Sequence, residues 1–530
     1  MLSARVLLKV LPLLVLVAVA LSAQQPDLHA LLVEGAALDS QQRYDEAKAY
    51  YQRALKIAPN SAPVLNNVGN HYLASGDKAQ ARRFYMRTVA VDPHHVNANL
   101  QLAQMSVDEK DGKKALAYLS RLSSSETSDP GAALLKARAL ALAGKCPDAA
   151  QLLERLQDQA AEGAAFSIGM TYAQCKLYSR AERSFSRAAD ADPGNFAVLY
   201  NLGLASLEAG HPERAANALE TALKQRPEDG DCQSALARAR LDLAIIHFHQ
   251  QGAQAALSTL DQIPTTDRNG DYYLLRAQVL DSLGKTEEAV DALNLGMRAA
   301  PTRSDLYLQA AGFLLKHNLL REALNLLDQA SRVLPDDREL RLARVVTLEL
   351  LSRETDAQKL LAEIQARWPK WDRAYQLKGI LLEIQLKSSE ARQALDTAIS
   401  LGANTPEVYY YKALAITHAE PDDLDGAQNA INHALALTST DPYAFVLAGK
   451  IALAKKDYAK AVQYLLEAKR LQPALIPAHY GLRDAYKALG DEQKSAAEME
   501  EIQRLARENQ PADQNPFATE GWMFAVRPPG

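Results

Sequence analysis

Small apolar residues recur at a constant interval along this chain. Alanine returns every 34 residues in two runs: Ala47, Ala81, Ala115 and Ala149, then Ala289, Ala323, Ala357 and Ala391. Three other positions keep a fixed distance from the first alanine: Gly35 twelve residues before it, Tyr51 four residues after it and Pro59 twelve residues after it. Similar residues return at these distances in other repeats, so each position forms a column of the repeat. Four columns that keep one phase predict an internal repeat.

The columns predict two packed helices in each repeat. A small residue on the first helix and the alanine on the second allow close approach, and the large residue one turn further fills the gap. Glycines such as Gly76 and Gly144 fall at the turn between the helices, where a positive φ is favourable. The proline ends the second helix. One pair cannot bury its apolar face alone, so the pairs must stack.

This pattern resembles the tetratricopeptide repeat (TPR) over nearly the whole chain after residue 27. The large residue that opens a TPR is represented here by Leu65, Leu199 and Tyr273. The resemblance implies an all-α fold, a right-handed superhelical solenoid of about fourteen TPR helix-turn-helix repeats. By phase, repeats are expected to begin near residues 28, 62, 96, 130, 162, 196, 237, 270, 304, 338, 372, 406, 442 and 476.

The regular spacing of the repeats is interrupted before the seventh repeat. About seven extra residues, 230–236, precede it. We therefore expect an N-terminal TPR array at 28–229, an irregular insertion at 230–236 and a C-terminal TPR array at 237–505. The insertion is open to two interpretations, a hinge between the arrays or a slightly longer loop.

The first 23 residues have the layout of a secretory signal peptide. Arg5 and Lys9 are followed by the apolar run Val10 to Leu21 and by small residues before Gln24. We expect residues 1–23 to be cleaved and the protein to be periplasmic or secreted. The alternative is an inner-membrane anchor through residues 6–23.

The C-terminal tail, residues 509–530, has an unusual composition. It is rich in Pro and Asn but contains Phe517, Trp522, Met523 and Phe524. Several large apolar residues in a polar tail suggest docking, either in cis on the chain's own repeats or in trans on a partner.

Charge and motifs argue against catalysis and nucleic-acid binding. The net charge of −5 gives no basic field for phosphate backbones. His247 and His249 are two residues apart, about 200° around a helix, so they do not share a metal. No segment outside the repeats is large enough for a catalytic domain. We expect no catalytic residue, no cofactor and no metal.

Two cysteines fall in equivalent turns. Cys146 lies in the inter-helix turn of the fourth repeat and Cys175 in that of the fifth. Stacked repeats bring these turns together, and an exported protein meets an oxidising compartment, so we expect a Cys146–Cys175 disulfide. The alternative is two thiols too far apart to bridge. Cys232 is left over.

The resemblance also implies a binding surface. In TPR proteins the first helix of each repeat lines a concave groove that receives a peptide or helix, through positions 2, 5, 9 and 12. The candidates for partner binding are Asn66, Asn70, Tyr200, Gln376, Tyr410 and Tyr480, with adjacent Asn67 and Asn201. Amides bond peptide backbones and tyrosine gives rigid contact area. About half of these residues are expected to solvate the groove or pack between helices instead.

The functional hypothesis is a non-catalytic scaffold or adaptor that binds other proteins. Its layout is similar to that of pilus-assembly and polysaccharide-export TPR proteins, which favours an exported protein that assembles a cell-envelope complex. The alternative is a regulatory or substrate-presenting subunit of an envelope enzyme, for example one of glycan synthesis or export.

Overall fold

The computed structural model describes residues 27–157 and 164–507. These residues form 28 α-helices, which follow one another as fourteen pairs joined by short turns. The prediction of an all-α array of helix-turn-helix repeats is confirmed. The predicted signal peptide and the tail at 509–530 lie outside the described residues.

The helices divide between two compact units. The first unit is drawn from Met1–Ile246 and Asp261–Asp267. Its helices are α1 Leu28–Ser40, α2 Tyr44–Ile57, α3 Ala62–Ala74, α4 Lys78–Val91, α5 Val96–Asp108, α6 Gly112–Leu119, α7 Pro130–Leu142, α8 Cys146–Gln157, α9 Ala165–Gln174, α10 Tyr178–Ala191, α11 Phe196–Glu208, α12 Pro212–Gln225 and most of α13 Gly230–Gln250.

The second unit is drawn from His247–Leu260 and Arg268–Gly530. Besides the end of α13 and nearly all of α14 Ala253–Asp261, it holds α15 Gly270–Ser282, α16 Thr286–Ala299, α17 Ser304–Lys316, α18 Leu320–Val333, α19 Arg338–Leu350, α20 Glu354–Arg367, α21 Asp372–Ile384, α22 Ser388–Ser400, α23 Pro406–Ala419, α24 Leu424–Leu437, α25 Pro442–Ala454, α26 Tyr458–Leu471, α27 Ile476–Ala488 and α28 Glu492–Arg507.

The first helices begin where the repeat phase predicts, with two exceptions. The first helix of the fifth pair begins at Ala165, and that of the seventh begins early, at Gly230. Residues 230–236 therefore form the first two turns of α13, so the interpretation as a longer loop is wrong, whereas the hinge stays a prediction. The segment contains no proline and one glycine, at its first residue, so nothing in it opposes helix formation.

In six pairs a glycine of the first helix lies against a large residue of the second helix. A Cβ built on Gly35 would lie 2.8 Å from Cζ of Tyr51, and one on Gly203 would lie 2.4 Å from Cγ of Leu219. No ordinary side chain fits at such distances, so the predicted small–large contact is a close one. The alanine column beside it, from Ala47 onward, is fully buried.

The turn between paired helices contains one residue in the left-handed conformation in every pair except the twelfth, where no residue between α23 and α24 has a positive φ. Its left-handed residue is glycine in some pairs, such as Gly76 with φ of 87°. In seven pairs another residue adopts a positive φ: Gln42, Lys110, Lys176, Asn318, Ser352, Leu386 and Lys456. Tertiary packing therefore imposes the left-handed conformation where glycine is absent, at some cost in strain.

Two neighbouring pairs are covalently linked. Cys146, the first residue of α8, and Cys175, which caps the C-terminal end of α9, are disulfide-bonded with their Cα atoms 5.5 Å apart. This is the pairing expected from adjacent turns. Cys232 is buried and free, and burial raises the pKa of its thiol to about 11.

We expect loss of the disulfide to destabilise the chain. The bridge closes a loop with a sequence separation of 29, which corresponds to about 3–4 kcal/mol on the chain-entropy treatment. Chemical denaturation should show a deficit of this size for the Cys146→Ser/Cys175→Ser double variant. The control is wild-type protein in reductant, which should match the double variant. Equal stability of wild type and variant without reductant would contradict the expectation.

Candidate functional site

An asparagine cluster joins the first helices of the second and third pairs. Asn97 Nδ2 on α5 donates to Asn66 Oδ1 at 2.8 Å and to Asn70 Oδ1 at 2.9 Å, both on α3. Tyr85 on α4 donates to the same Asn70 oxygen at 2.8 Å. Asn66 is buried, whereas Asn70 is exposed. Asn70 thus keeps its oxygen fixed by two neighbours and leaves its amide nitrogen at the surface.

The side-chain amides of the adjacent candidates Asn67 and Asn201 form hydrogen bonds within their own helices. Asn67 Nδ2 donates to the carbonyl of Pro63, and Asn201 Nδ2 to that of Ala197, each at 2.8 Å. Tyr200 is half-buried and stacks on Phe196, with ring centroids 5.8 Å apart. Burial raises the pKa of Tyr200, and the negative charges of Asp231 and Asp229 add to it.

Two candidates of the second unit do not reach the surface. Gln376 is 1% exposed and donates through Nε2 to Thr405 Oγ1 at 2.9 Å, so it ties α21 to the start of α23. Tyr410 is 5% exposed. The expectation that these two side chains are presented to a partner is therefore wrong, because both are buried.

Tyr480 remains accessible. Its side chain on α27 is 42% exposed, and the guanidinium of Arg483 lies 5.0 Å from its ring centroid. An exposed tyrosine beside an arginine offers apolar contact and hydrogen bonding together.

Sequence reasoning missed the polar contacts between successive first helices. Asn97 and the ion pair of Arg373 Nη1 with Glu339 Oε2 at 2.5 Å occupy the second position of their repeats. Burial raises the pKa of Glu339 although Arg373 lowers it. These residues stand in the register already used for the other candidates, which was the signal that could have found them.

Histidines bind carboxylates of the preceding first helix in three places. His71 Nδ1 lies 2.7 Å from Asp39 Oδ1, His317 Nε2 lies 2.7 Å from Asp281 Oδ1, and His418 Nδ1 lies 2.6 Å from Glu383 Oε1.

Asp281 shows the electrostatic effect of such a contact. Burial raises the pKa of Asp281, but the hydrogen bonds and charges of Lys316 and His317 outweigh it, so the pKa lies below its ordinary value. Ionic contacts of this kind fix the register of neighbouring repeats.

Asp441 is a half-buried residue whose carboxylate has one buried oxygen. It caps α25 by accepting the Tyr443 amide at 2.9 Å through Oδ1, while Oδ2 is buried without a hydrogen-bond partner among the described residues. Burial raises the pKa of Asp441 to about 6, against the lowering effect of the Tyr443 and Ala444 amides, and Glu407 raises it further.

Within 27–157 and 164–507, no three His, Cys, Asp or Glu residues are grouped as metal ligands would be. No helix in these ranges has the length and apolar character needed to cross a bilayer.

Comparison with known proteins identifies the repeats. Family models described as tetratricopeptide repeat match residues 28–93, 69–133, 176–239, 270–303 and 442–475.

Two curated relatives share parts of the chain. It is 31% identical to lipopolysaccharide assembly protein B of Escherichia coli K12 over 140 residues, which cover 25% of this chain and 35% of that protein. It is 25% identical to cellulose synthase operon protein C of Pseudomonas fluorescens over 303 residues, 53% of this chain and 23% of the relative. The chain thus spans about a third or less of these relatives.

A solved structure, yeast Tom70, aligns with 90% of this chain and 99% of its own, with a TM-score of 0.43 and 16% identity.

The half-buried carboxylate of Asp441 predicts a stability that depends on pH. Because its folded pKa is raised, its contribution is fully present below about pH 3.8 and is lost as pH rises through about 6. Asp441→Asn keeps the capping oxygen and removes the charge. Relative to wild type, it should gain about 1–2 kcal/mol between pH 4 and pH 7.5 in denaturant unfolding, a value reduced for partial solvation.

The matched control is Asp457→Asn. Asp457 caps α26 by accepting the Lys460 amide at 3.2 Å but is exposed. It should show no such gain. A gain of equal size in both variants would contradict the assignment to burial.

Proposed function

Because the chain is a tetratricopeptide-repeat protein, we propose that it is a non-catalytic protein-interaction scaffold or adaptor, exported to the cell envelope, where it assembles a multiprotein complex. Repeat arrays of this kind present long surfaces that are suited to extended partners. The observation that carries the binding role is the asparagine cluster of α3 and α5. Its two amide oxygens are held by Asn97, while Asn70 stays exposed.

This arrangement suits a peptide backbone. Pre-organised amides lose little freedom on binding, so more of the contact energy appears as affinity. Tyr480 on α27 adds a second accessible contact, and Tyr200 with Asn201 on α11 adds a half-buried one. The partner bound there is a peptide or helix of another protein.

Three observations support a location in the cell envelope. The relatives are named for lipopolysaccharide assembly and for a cellulose synthase operon. The Cys146–Cys175 disulfide suits an oxidising compartment. Residues 1–23 have the layout of a signal peptide.

The names of these relatives also favour a second candidate, a regulatory or substrate-presenting subunit of an envelope enzyme of glycan synthesis or export. An enzyme that co-purifies in fixed proportion would favour this candidate over a general scaffold.

We expect a bulky charge on the asparagine cluster to release the partner. Asn70→Arg places a long cation on the first-helix surface and should reduce partner recovery at least five-fold when tagged protein is purified from its own envelope. Met86→Arg is the control, because Met86 is 51% exposed on the second helix α4. Met86→Arg should unfold at the wild-type temperature, whereas Asn70→Arg also removes the hydrogen bonds from Tyr85 and Asn97 and should unfold at a lower temperature. Recovery is therefore compared at a temperature at which circular dichroism shows both variants to be folded. Equal recovery with Asn70→Arg and wild type would refute binding at this cluster.

Export predicts a processed chain in the envelope. Fractionation followed by N-terminal sequencing should place the protein in the periplasm or outside the cell, beginning after Ala20 or at Gln24. An intact N-terminus in the inner-membrane fraction would establish the anchor through residues 6–23 instead. Recovery of the whole pool from the cytoplasm would refute export.

A further inference from the structure

The two walls of a groove between the tenth and eleventh pairs have the same order of polar and apolar residues. It encloses a cavity of about 240 Å³ between α20, the second helix of the tenth pair, and α21, the first helix of the eleventh. The walls are Gln358, Leu361, Ala362 and Gln365 on α20, Lys378, Leu381 and Leu382 on α21, and Gln385, which caps the C-terminal end of α21. On each helix the spacing is i, i+3, i+4 and i+7, which defines one face. The α20–α21 groove is thus apolar in its middle and polar at both ends.

Two polar atoms of the groove residues lack partners. Glu349 Oε1 and Gln365 Nε2 are buried without a hydrogen-bond partner among the described residues. Buried groups in this state are costly and call for a ligand or water. Burial raises the pKa of Glu349, Glu354 adds to it, and Lys387 lowers it. An acceptor and a donor suit a ligand that carries both N–H and C=O groups, as a peptide backbone does.

An exposed apolar residue stands at the rim. Leu386, between the groove residues Gln385 and Lys387, is 79% exposed and has a φ of 59°. Its counterparts in the other described turns with a positive φ are glycine or polar. Ile384 nearby is 51% exposed. A strained turn that displays a large apolar side chain is typical of a contact surface.

We propose that the chain's own C-terminal segment, residues 517–524, binds in the α20–α21 groove. The segment carries Phe517, Trp522, Met523 and Phe524 among polar residues, which complements a groove with an apolar middle and polar ends. The aromatic side chains bury against the leucines of both walls, and flanking peptide groups pair with Glu349 and Gln365. Burial of one such side chain is worth about 1.5–3 kcal/mol.

The segment is long enough to reach the groove. Helix α28 ends at Arg507. From α27 back to α21 there are three steps between first helices, about 30 Å at helix-packing distances. The ten residues from 508 to 517, the first aromatic residue of the segment, extend to about 35 Å. Binding within one chain therefore requires no rearrangement of the repeats, and it does not depend on the proposed scaffold function.

Photo-crosslinking in the full chain tests the proposal. With Phe517→p-benzoylphenylalanine, irradiation and peptide mapping should give cross-links to residues 354–387. Ala362→Arg fills the groove from an exposed position and should lower their yield at least five-fold. Ala366→Arg, on the same helix but outside the groove, is the control and should leave the yield unchanged. Cross-links elsewhere, or equal yields in the two variants, would overturn the proposal.

An isotope mixture separates binding within a chain from binding between chains. Light and heavy chains are mixed at low concentration and irradiated. Cross-linked peptides should be entirely light or entirely heavy. Mixed pairs would overturn binding within one chain.

Discussion

The structure depends on one steric contact, in which a small residue of the first helix faces a large residue of the second; in six pairs the small residue is glycine. Gly203 against Leu219 and Gly379 against Leu395 show it most closely, since a Cβ on either glycine would lie 2.4 Å from the leucine Cγ. The contact sets the distance between paired helices. The buried alanines, the tight turns and the stacking of the next pair all require that distance.

Polar contacts fix the register between neighbouring helical pairs, which the steric contact within a pair does not determine. Apolar packing tolerates small shifts along a helix, whereas hydrogen-bonded carboxylates do not. Glu182 is an example: burial raises its pKa, but hydrogen bonds from His211 and Ser206 and the charge of Arg214 lower it overall. Such contacts join neighbouring pairs at a fixed register.

The sequence predicts the repeats well because each column reflects a local steric need. It predicts the binding surface less well because repeat position defines a helix face but not what covers it. Gln376, Tyr410 and Tyr480 share position five, yet only Tyr480 is exposed. Residues 230–236 show a similar limit. The sequence reveals that these residues interrupt the 34-residue spacing, but it does not reveal that they form the first turns of helix α13.

The disulfide also has a mechanical consequence. A stack of helical pairs held only by nearest-neighbour contacts unfolds pair by pair when it is pulled along its length. Tension that enters at Cys146 passes through the sulfur atoms to Cys175 and bypasses the chain between them, whose sequence separation is 29. About 100 Å of contour is thereby withheld from extension. Under tension, the residues between Cys146 and Cys175 cannot extend until a reductant cleaves the disulfide.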